Sequence, residues 1–407
     1  MHQKIFLNTL YQVIQKVLTA SITLLITILT AQALGVTGYG QLVQITTTVG
    51  MLYLVVDFGM NAIALQDDPH KNFGNLLVAR ILLALSSVGI IALLVVVLPF
   101  SDFFEIGFSP MVKTGMIIFS LTLIAQAVLL SATSIYQKEL RYSALLLISL
   151  VGSSVTMAFI FYAFLTNISL LFVVGSFVVG SIVTALLSFI FIYKKVNMKV
   201  DHLKVKLLFL KSLPLGLMLI FNLIYFRIDI FILSFLKSTA DVGTYGLSYR
   251  FFDFLIALPL FLSNALYPML LENQKNFRRN GKMVAAYTVC AMIIGVVLAI
   301  VLWFLAPLII LIKQDFVGAI ASFRLLLFSL PFFFGTSLLQ WGIIAEKKQK
   351  FLMWTYLFCA IFNVGLNIIF IPIGSYLASA MITGITECVV FVVLASYYYK
   401  NYMRSAT

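Results

Sequence analysis

Long apolar runs separated by short polar clusters dominate the chain, and they predict twelve helices: 10–34, 41–64, 74–100, 112–136, 143–165, 169–193, 211–236, 244–270, 284–312, 317–344, 351–371 and 374–399. Each run is about 20 residues or longer, enough to cross a bilayer as a helix. A barrel strand would instead alternate polar and apolar positions over about ten residues. The positions of Lys and Arg test the number of spans, because one missed helix would scramble their sidedness. Twenty-one of the 27 fall on one side, Lys113, Lys237 and Lys313 on the other, and Arg227, Arg250 and Arg324 inside helices. The pattern predicts an even number of spans with both termini in the cytoplasm.

Composition narrows the picture further. The chain is 62% apolar and 10% charged over 407 residues, against roughly 45–50% and 25% for soluble domains. A dozen spans use roughly 240 residues, which leaves no room for a catalytic soluble domain. The net charge of +13 then reports orientation rather than nucleic-acid binding. Cys290, Cys359 and Cys388 lie inside apolar runs and predict no disulfide framework. The first apolar run, despite Ala31-Gln32-Ala33 at its end, reads as a retained helix rather than a cleaved leader.

The basic stretch from Lys194 to Lys211 divides the chain into six spans on each side. We therefore expect an N-terminal lobe over 1–197, a basic cytoplasmic linker over 198–210 and a C-terminal lobe over 211–407. The linker alternates Lys with Val and Leu, which suits either a solvated connector or a segment resting on anionic headgroups. Val36-Thr37-Gly38-Tyr39-Gly40 is echoed 206 residues later by Val242-Gly243-Thr244-Tyr245-Gly246, after the first and seventh helices. Because six is even, repeats of this kind are related by an axis along the membrane normal.

Ala33-Leu34-Gly35 leading to Gly38-Tyr39-Gly40, with Asp57-Phe58-Gly59-Met60 in the second helix, resembles the opening of polysaccharide flippases of the multidrug/oligosaccharidyl-lipid/polysaccharide exporter superfamily. Arg227-Ile228-Asp229, Val242 to Gly246, and Pro268 ending the eighth helix are similar to the same family's pattern. The resemblance implies an all-α membrane protein, two six-helix bundles in a V around a central cavity that opens alternately to each side. It also implies a cargo of undecaprenyl-pyrophosphate-linked oligosaccharide, such as an O-antigen unit, moved across a bacterial inner membrane, with polysaccharide polymerase machinery as a partner. The related peptidoglycan-precursor flippase has two further spans that this chain lacks.

Charge inside a bilayer costs at least about 2.5–3.5 kcal/mol per residue on insertion scales, so intramembrane ions are candidates for function. Seven stand out: Asp57, Arg227, Asp229, Arg250, Asp253, Arg324 and Glu387. Counted from a turn near Ala240, Arg227 and Asp253 share one depth, and Asp229 and Arg250 another, which predicts two cross-helix pairs. Either the pairs are structural, or the arginines line the cavity and bind a pyrophosphate, as guanidinium does bidentately. Arg324 has no equal-depth partner and joins Arg227 and Arg250 as a substrate-binding candidate. Tyr225, Tyr245 and Tyr249 stand near enough to stack on sugar rings. Lys16, Asp57 and Arg80 lie at similar depth near the inner ends of helices one to three, either as an inner gate or with the two cations reaching the headgroups.

No phosphate-binding Gly-x-x-x-x-Gly-Lys-Ser/Thr loop exists, so ATP is not the direct energy source. His2, His70 and His202 have no ligand spacing, so neither a metal nor any other cofactor is expected. Asp57, Asp229, Asp253 and Glu387 are the carboxylates able to couple transport to H+ or Na+. A cation-coupled multidrug antiporter of the same superfamily is the competing reading. An enzyme acting outside the membrane would need more than the short loop 101–111.

Overall fold

The computed structural model describes residues 2–65, 68–102, 106–166, 169–259, 262, 263, 266, 270, 277–346 and 348–403, with backbone alone at 2–17, 277–279, 402 and 403. Thirteen α-helices organise the described residues: α1 (His2–Met51), α2 (Tyr53–Asp57), α3 (Met60–Ala64), α4 (Phe73–Val97), α5 (Pro110–Lys138), α6 (Tyr142–Thr166), α7 (Leu170–Ile190), α8 (His202–Leu236), α9 (Thr239–Ile256), α10 (Phe277–Leu305), α11 (Val317–Leu327), α12 (Leu330–Ala345) and α13 (Gln349–Tyr398). A short antiparallel hairpin pairs Phe100 with Gly107. This is a multi-pass α-helical membrane protein. Among the described residues eight helices are long and apolar enough to span, or nine if α11 and α12, bent by 46°, form one broken span.

The difference from the expected twelve lies in breaks that have no loops. A straight 50-residue helix would be about 75 Å long, well beyond the roughly 40–45 Å of a whole bilayer. In α1 the helix breaks at Gly35, with φ 66° and ψ −177°, a conformation essentially confined to glycine. In α13 it breaks at Ser375, φ 47°. There Ser375 Oγ donates to Asp241 at 3.0 Å, and Lys237 Nζ donates to the Pro372 carbonyl at 2.8 Å. The second expected span is broken again at Phe58 and Gly59, both with positive φ. The eighth, expected to run to 270, enters residues outside those described, Pro268 among them.

The chain forms two compact units, 1–223 with 238–240, and 224–237 with 241–407. The expected lobe boundary at 198–210 thus moves into the middle of α8, because the basic segment is docked on the first unit. Gly74 N donates to the Asn197 carbonyl at 3.0 Å and Asn197 N to that of His70 at 2.9 Å, while Asp201 N donates to Asn75 Oδ1 at 2.6 Å. Val205, Leu208 and Phe209 then pack on Phe58, Met60 and Leu76, with Phe58 and Phe209 stacked at 4.9 Å. The lysines between them stay exposed, so the Lys–apolar alternation makes an amphipathic helix start rather than a free linker.

A second cluster in the first unit gathers Phe73, Ile135, Tyr136, Leu145 and Ile148. Beside it α6 and α7 cross at two glycines: Thr156 Oγ1 donates to the Gly152 carbonyl at 3.2 Å and Thr184 Oγ1 to that of Gly180 at 2.8 Å. Each threonine faces the other helix's glycine, where a Cβ would collide with it, the small-residue crossing favoured between helices in lipid. At the turn end of this unit Glu139 gathers three connections. Lys195 Nζ reaches both its oxygens at 3.2 and 3.3 Å, Arg141 lies at 3.3 Å and His70 at 3.7 Å.

Candidate functional site

The second unit holds a chain of ionisable and polar side chains inside its spans. Arg227 on α8 donates to both carboxylate oxygens of Asp253 on α9, at 2.9 and 2.8 Å, and lies 4.8 Å over the Tyr249 ring. That is the expected equal-depth pair. The expected partner of Asp229, Arg250, is replaced by Tyr245, whose hydroxyl donates to Asp229 Oδ2. The backbone N–H of Ile230 fills Oδ1 at 2.7 Å, and Thr383 from α13 stands at 3.5 Å. Arg250 makes no ion pair among the described residues, and its side chain is partly exposed. Within the spans a guanidinium without a counter-ion is costly, so Arg250 is a cation in need of an anion.

Glu387 on α13 is buried and accepts from Tyr225 on α8. Its other oxygen, Oε1, closes no well-formed hydrogen bond among the described residues, although Thr336 on α12 stands beside it. A polar ladder continues along α13: Asn363 Nδ2 donates to Thr386 Oγ1 at 3.2 Å, and Asn367 Nδ2 to Asn363 Oδ1 at 2.8 Å. Tyr356 donates to Gln340 at 2.9 Å. The three tyrosines expected to stack on sugars are instead buried, with Tyr225 and Tyr245 hydroxyls given to carboxylates and that of Tyr249 to the Phe226 carbonyl at 3.0 Å. Thr383, Asn363, Asn367 and Thr336 escaped the search for ionisable groups; their signal was i, i+4 spacing of polar residues in apolar helices, as in Asn363/Asn367 and Thr383/Glu387.

Arg324 stands apart from this network. Its Nε donates to the Trp303 carbonyl at 3.2 Å and its guanidinium lies 5.0 Å over the Trp303 ring, on the α10–α11 side of the unit.

In the first unit Arg80 is fully buried, so it does not snorkel to the headgroups. Its Nη2 reaches Asp57 at 3.3 Å and Asn61 at 3.0 Å, and its Nη1 reaches Ser131 at 3.4 Å. The pair sits at the Phe58–Gly59 break and ties α2, α3, α4 and α5 together. Lys16, expected in the same cluster, has a side chain outside the described residues. Among the described residues no group of three His, Cys, Asp or Glu side chains stands close enough to hold a metal ion.

A family model described as polysaccharide biosynthesis protein matches residues 5–274. The chain belongs to that family. A second model, MatE, matches residues 214–369, and the two together place the chain in the multidrug/oligosaccharidyl-lipid/polysaccharide exporter superfamily. No curated protein matches the chain. Among solved structures, the family's fold is shared with the lipid II flippase MurJ in an inward closed conformation, at 17% identity and TM-score 0.77, over 97% of this chain and 88% of that one. An inward-facing multidrug resistance MATE family transporter matches at 12% identity and TM-score 0.76, over 94% and 95%. A MOP superfamily transporter from Pyrococcus furiosus matches at 12% identity and TM-score 0.61, over 96% and 95%. The family and these neighbours are transporters and flippases, not enzymes.

Proposed function

We propose that the protein carries an undecaprenyl-pyrophosphate-linked oligosaccharide, such as an O-antigen unit, from the cytoplasmic to the outer leaflet of a bacterial inner membrane by alternating access, with both termini cytoplasmic. The observation that carries this reading is Arg250: an intramembrane guanidinium with no acid partner among the described residues, one helical turn from the neutralised Arg227–Asp253 pair. An arriving pyrophosphate supplies the missing anion. The match to a polysaccharide biosynthesis family over 5–274 supports a glycan cargo. Asp229 and Glu387, each held by a tyrosine, are the carboxylates we assign to H+ or Na+ coupling, and polysaccharide polymerase machinery is the expected recipient.

The test is to delete the gene, label undecaprenyl-linked glycans, and identify by mass spectrometry the accumulating lipid and its leaflet. One repeat unit building up on the cytoplasmic side, relieved by the wild-type gene and by Arg250→Lys better than by Arg250→Ala, is the expected result. A second reading, a cation-coupled multidrug antiporter, is favoured by the same buried acids among tyrosines, which suit a cationic drug. Unchanged lipids with altered sensitivity to cationic drugs would decide for it.

A further inference from the structure

Among the described residues the most apolar span is the one that α10 forms, and most of it is exposed. So exposed and so apolar a helix faces hydrocarbon rather than an aqueous passage. Where α11 bends into α12, it leaves beside α10 a groove of about 440 Å³, lined by Val296, Ile300, Trp303, Phe304, Leu327 and Phe328. Phe304 and Phe328 are 74% and 62% exposed, so the groove opens outward from the unit.

Arg324 sits at one end of it. Leu327 and Phe328 lie three and four residues further along the same helix face. Side chains of a helix lean toward its N-terminus, which carries the guanidinium toward the Lys313 end, onto Trp303 two residues before α10 stops. The cation thus stands at the level of an interfacial tryptophan, with the apolar groove on the midplane side of it. That is how a lipid is laid out, phosphate at the interface and chain beneath. Arg324 makes no ion pair among the described residues, and Lys313, the neighbouring cation on this edge, lies 3.8 Å from Asp315.

We propose that this groove binds an anionic glycerophospholipid, with its phosphodiester on Arg324 and an acyl chain along α10 between Trp303 and Val296. One guanidinium matches the single charge of a phosphodiester.

The test uses the full chain purified in detergent, with phosphatidylglycerol and phosphatidylcholine titrated separately and bound lipid counted by native mass spectrometry. Wild type should bind one phosphatidylglycerol more tightly than phosphatidylcholine. Arg324→Ala should weaken it by about tenfold or more, as expected for a lost charge-assisted hydrogen bond, Arg324→Lys by less, and Ala299→Trp, which adds bulk at another residue of the groove lining on α10, should also release it. Equal binding by wild type and Arg324→Ala, or equal affinity for the two lipids, overturns the proposal. So does displacement of phosphatidylglycerol by an equal concentration of undecaprenyl pyrophosphate. If Arg324→Ala does not elute as a monodisperse peak, Arg324→Lys and Ala299→Trp decide: unchanged binding in both rejects the site.

Discussion

Arg227 meets both oxygens of Asp253 through one nitrogen, Nη2, while the face of its guanidinium rests on Tyr249. The pair is internally neutral, yet each partner depends on the other. Asp253→Asn or Arg227→Met should each cost about 1.5–3 kcal/mol, the range for a hydrogen bond to a charged group. The double variant Arg227→Met/Asp253→Leu should be more stable than the sum of the singles, because it leaves no unpaired charge. Thermal unfolding in detergent, arranged as a double-mutant cycle, measures this coupling; strictly additive losses would show that the two residues do not interact.

The Asp57–Arg80 pair should respond asymmetrically. Arg80 is fully buried and cannot shed its charge, whereas about a quarter of the Asp57 side chain is exposed. Asp57→Ala should therefore lower stability by about 3 kcal/mol or more, and Arg80→Met by less. Arg80→Lys should fall between Arg80→Met and wild type, since one ammonium cannot reach Asp57, Asn61 and Ser131 together. Comparing the melting temperatures of the three variants tests the order.

Burial alone would raise the Glu139 carboxyl, but hydrogen bonds from Lys195 and Arg141 and their charges outweigh it and hold the group below its usual value of 4.5. A lowered folded pKa stabilises above the unfolded value and stops doing so as pH falls through the folded one. The stability difference between wild type and Glu139→Gln should be constant above about pH 4.5 and shrink below it. Its size should stay within about 1 kcal/mol per pair, because Lys195 and Arg141 are solvent-exposed. Melting curves from pH 3 to pH 7 would reveal a flat difference if the clasp contributes nothing.

The α6–α7 crossing should tolerate no added bulk. Gly152→Val or Gly180→Val pushes against Thr184 or Thr156 and against the opposite glycine carbonyl, and should cost about 1–3 kcal/mol. Gly175→Ala on the same α7 helix, where a Cβ meets nothing within 4 Å, should leave the melting temperature unchanged. Equal effects at all three glycines would remove the crossing as a packing constraint.

Much of this was legible in the sequence, and the exceptions share a cause. Counting residues from a turn gives depth, and depth alone identified Arg227 with Asp253. It failed for Asp229 and Arg250 because a tyrosine hydroxyl bridges several ångströms of depth, letting Tyr245 reach Asp229 first. It left Arg324 without a partner but could not say where it turns, because depth says nothing about direction around a helix, and Arg324 rests on Trp303. The lobe boundary shifted for a related reason: charge density marks where a segment meets water, while Val205, Leu208 and Phe209, spaced between the lysines, decide what it packs on. The helix ends expected at 34 and 371 do correspond to breaks, at Gly35 and Ser375, but each is made by one residue rather than by a loop.

Those one-residue turns also limit what the protein displays beyond the membrane. A helix that breaks at one residue, Gly35 or Ser375, presents no flexible strand there for a protease to cut, an antibody to grip or a tag to occupy. Inserting an epitope at either point should break the protein rather than decorate it.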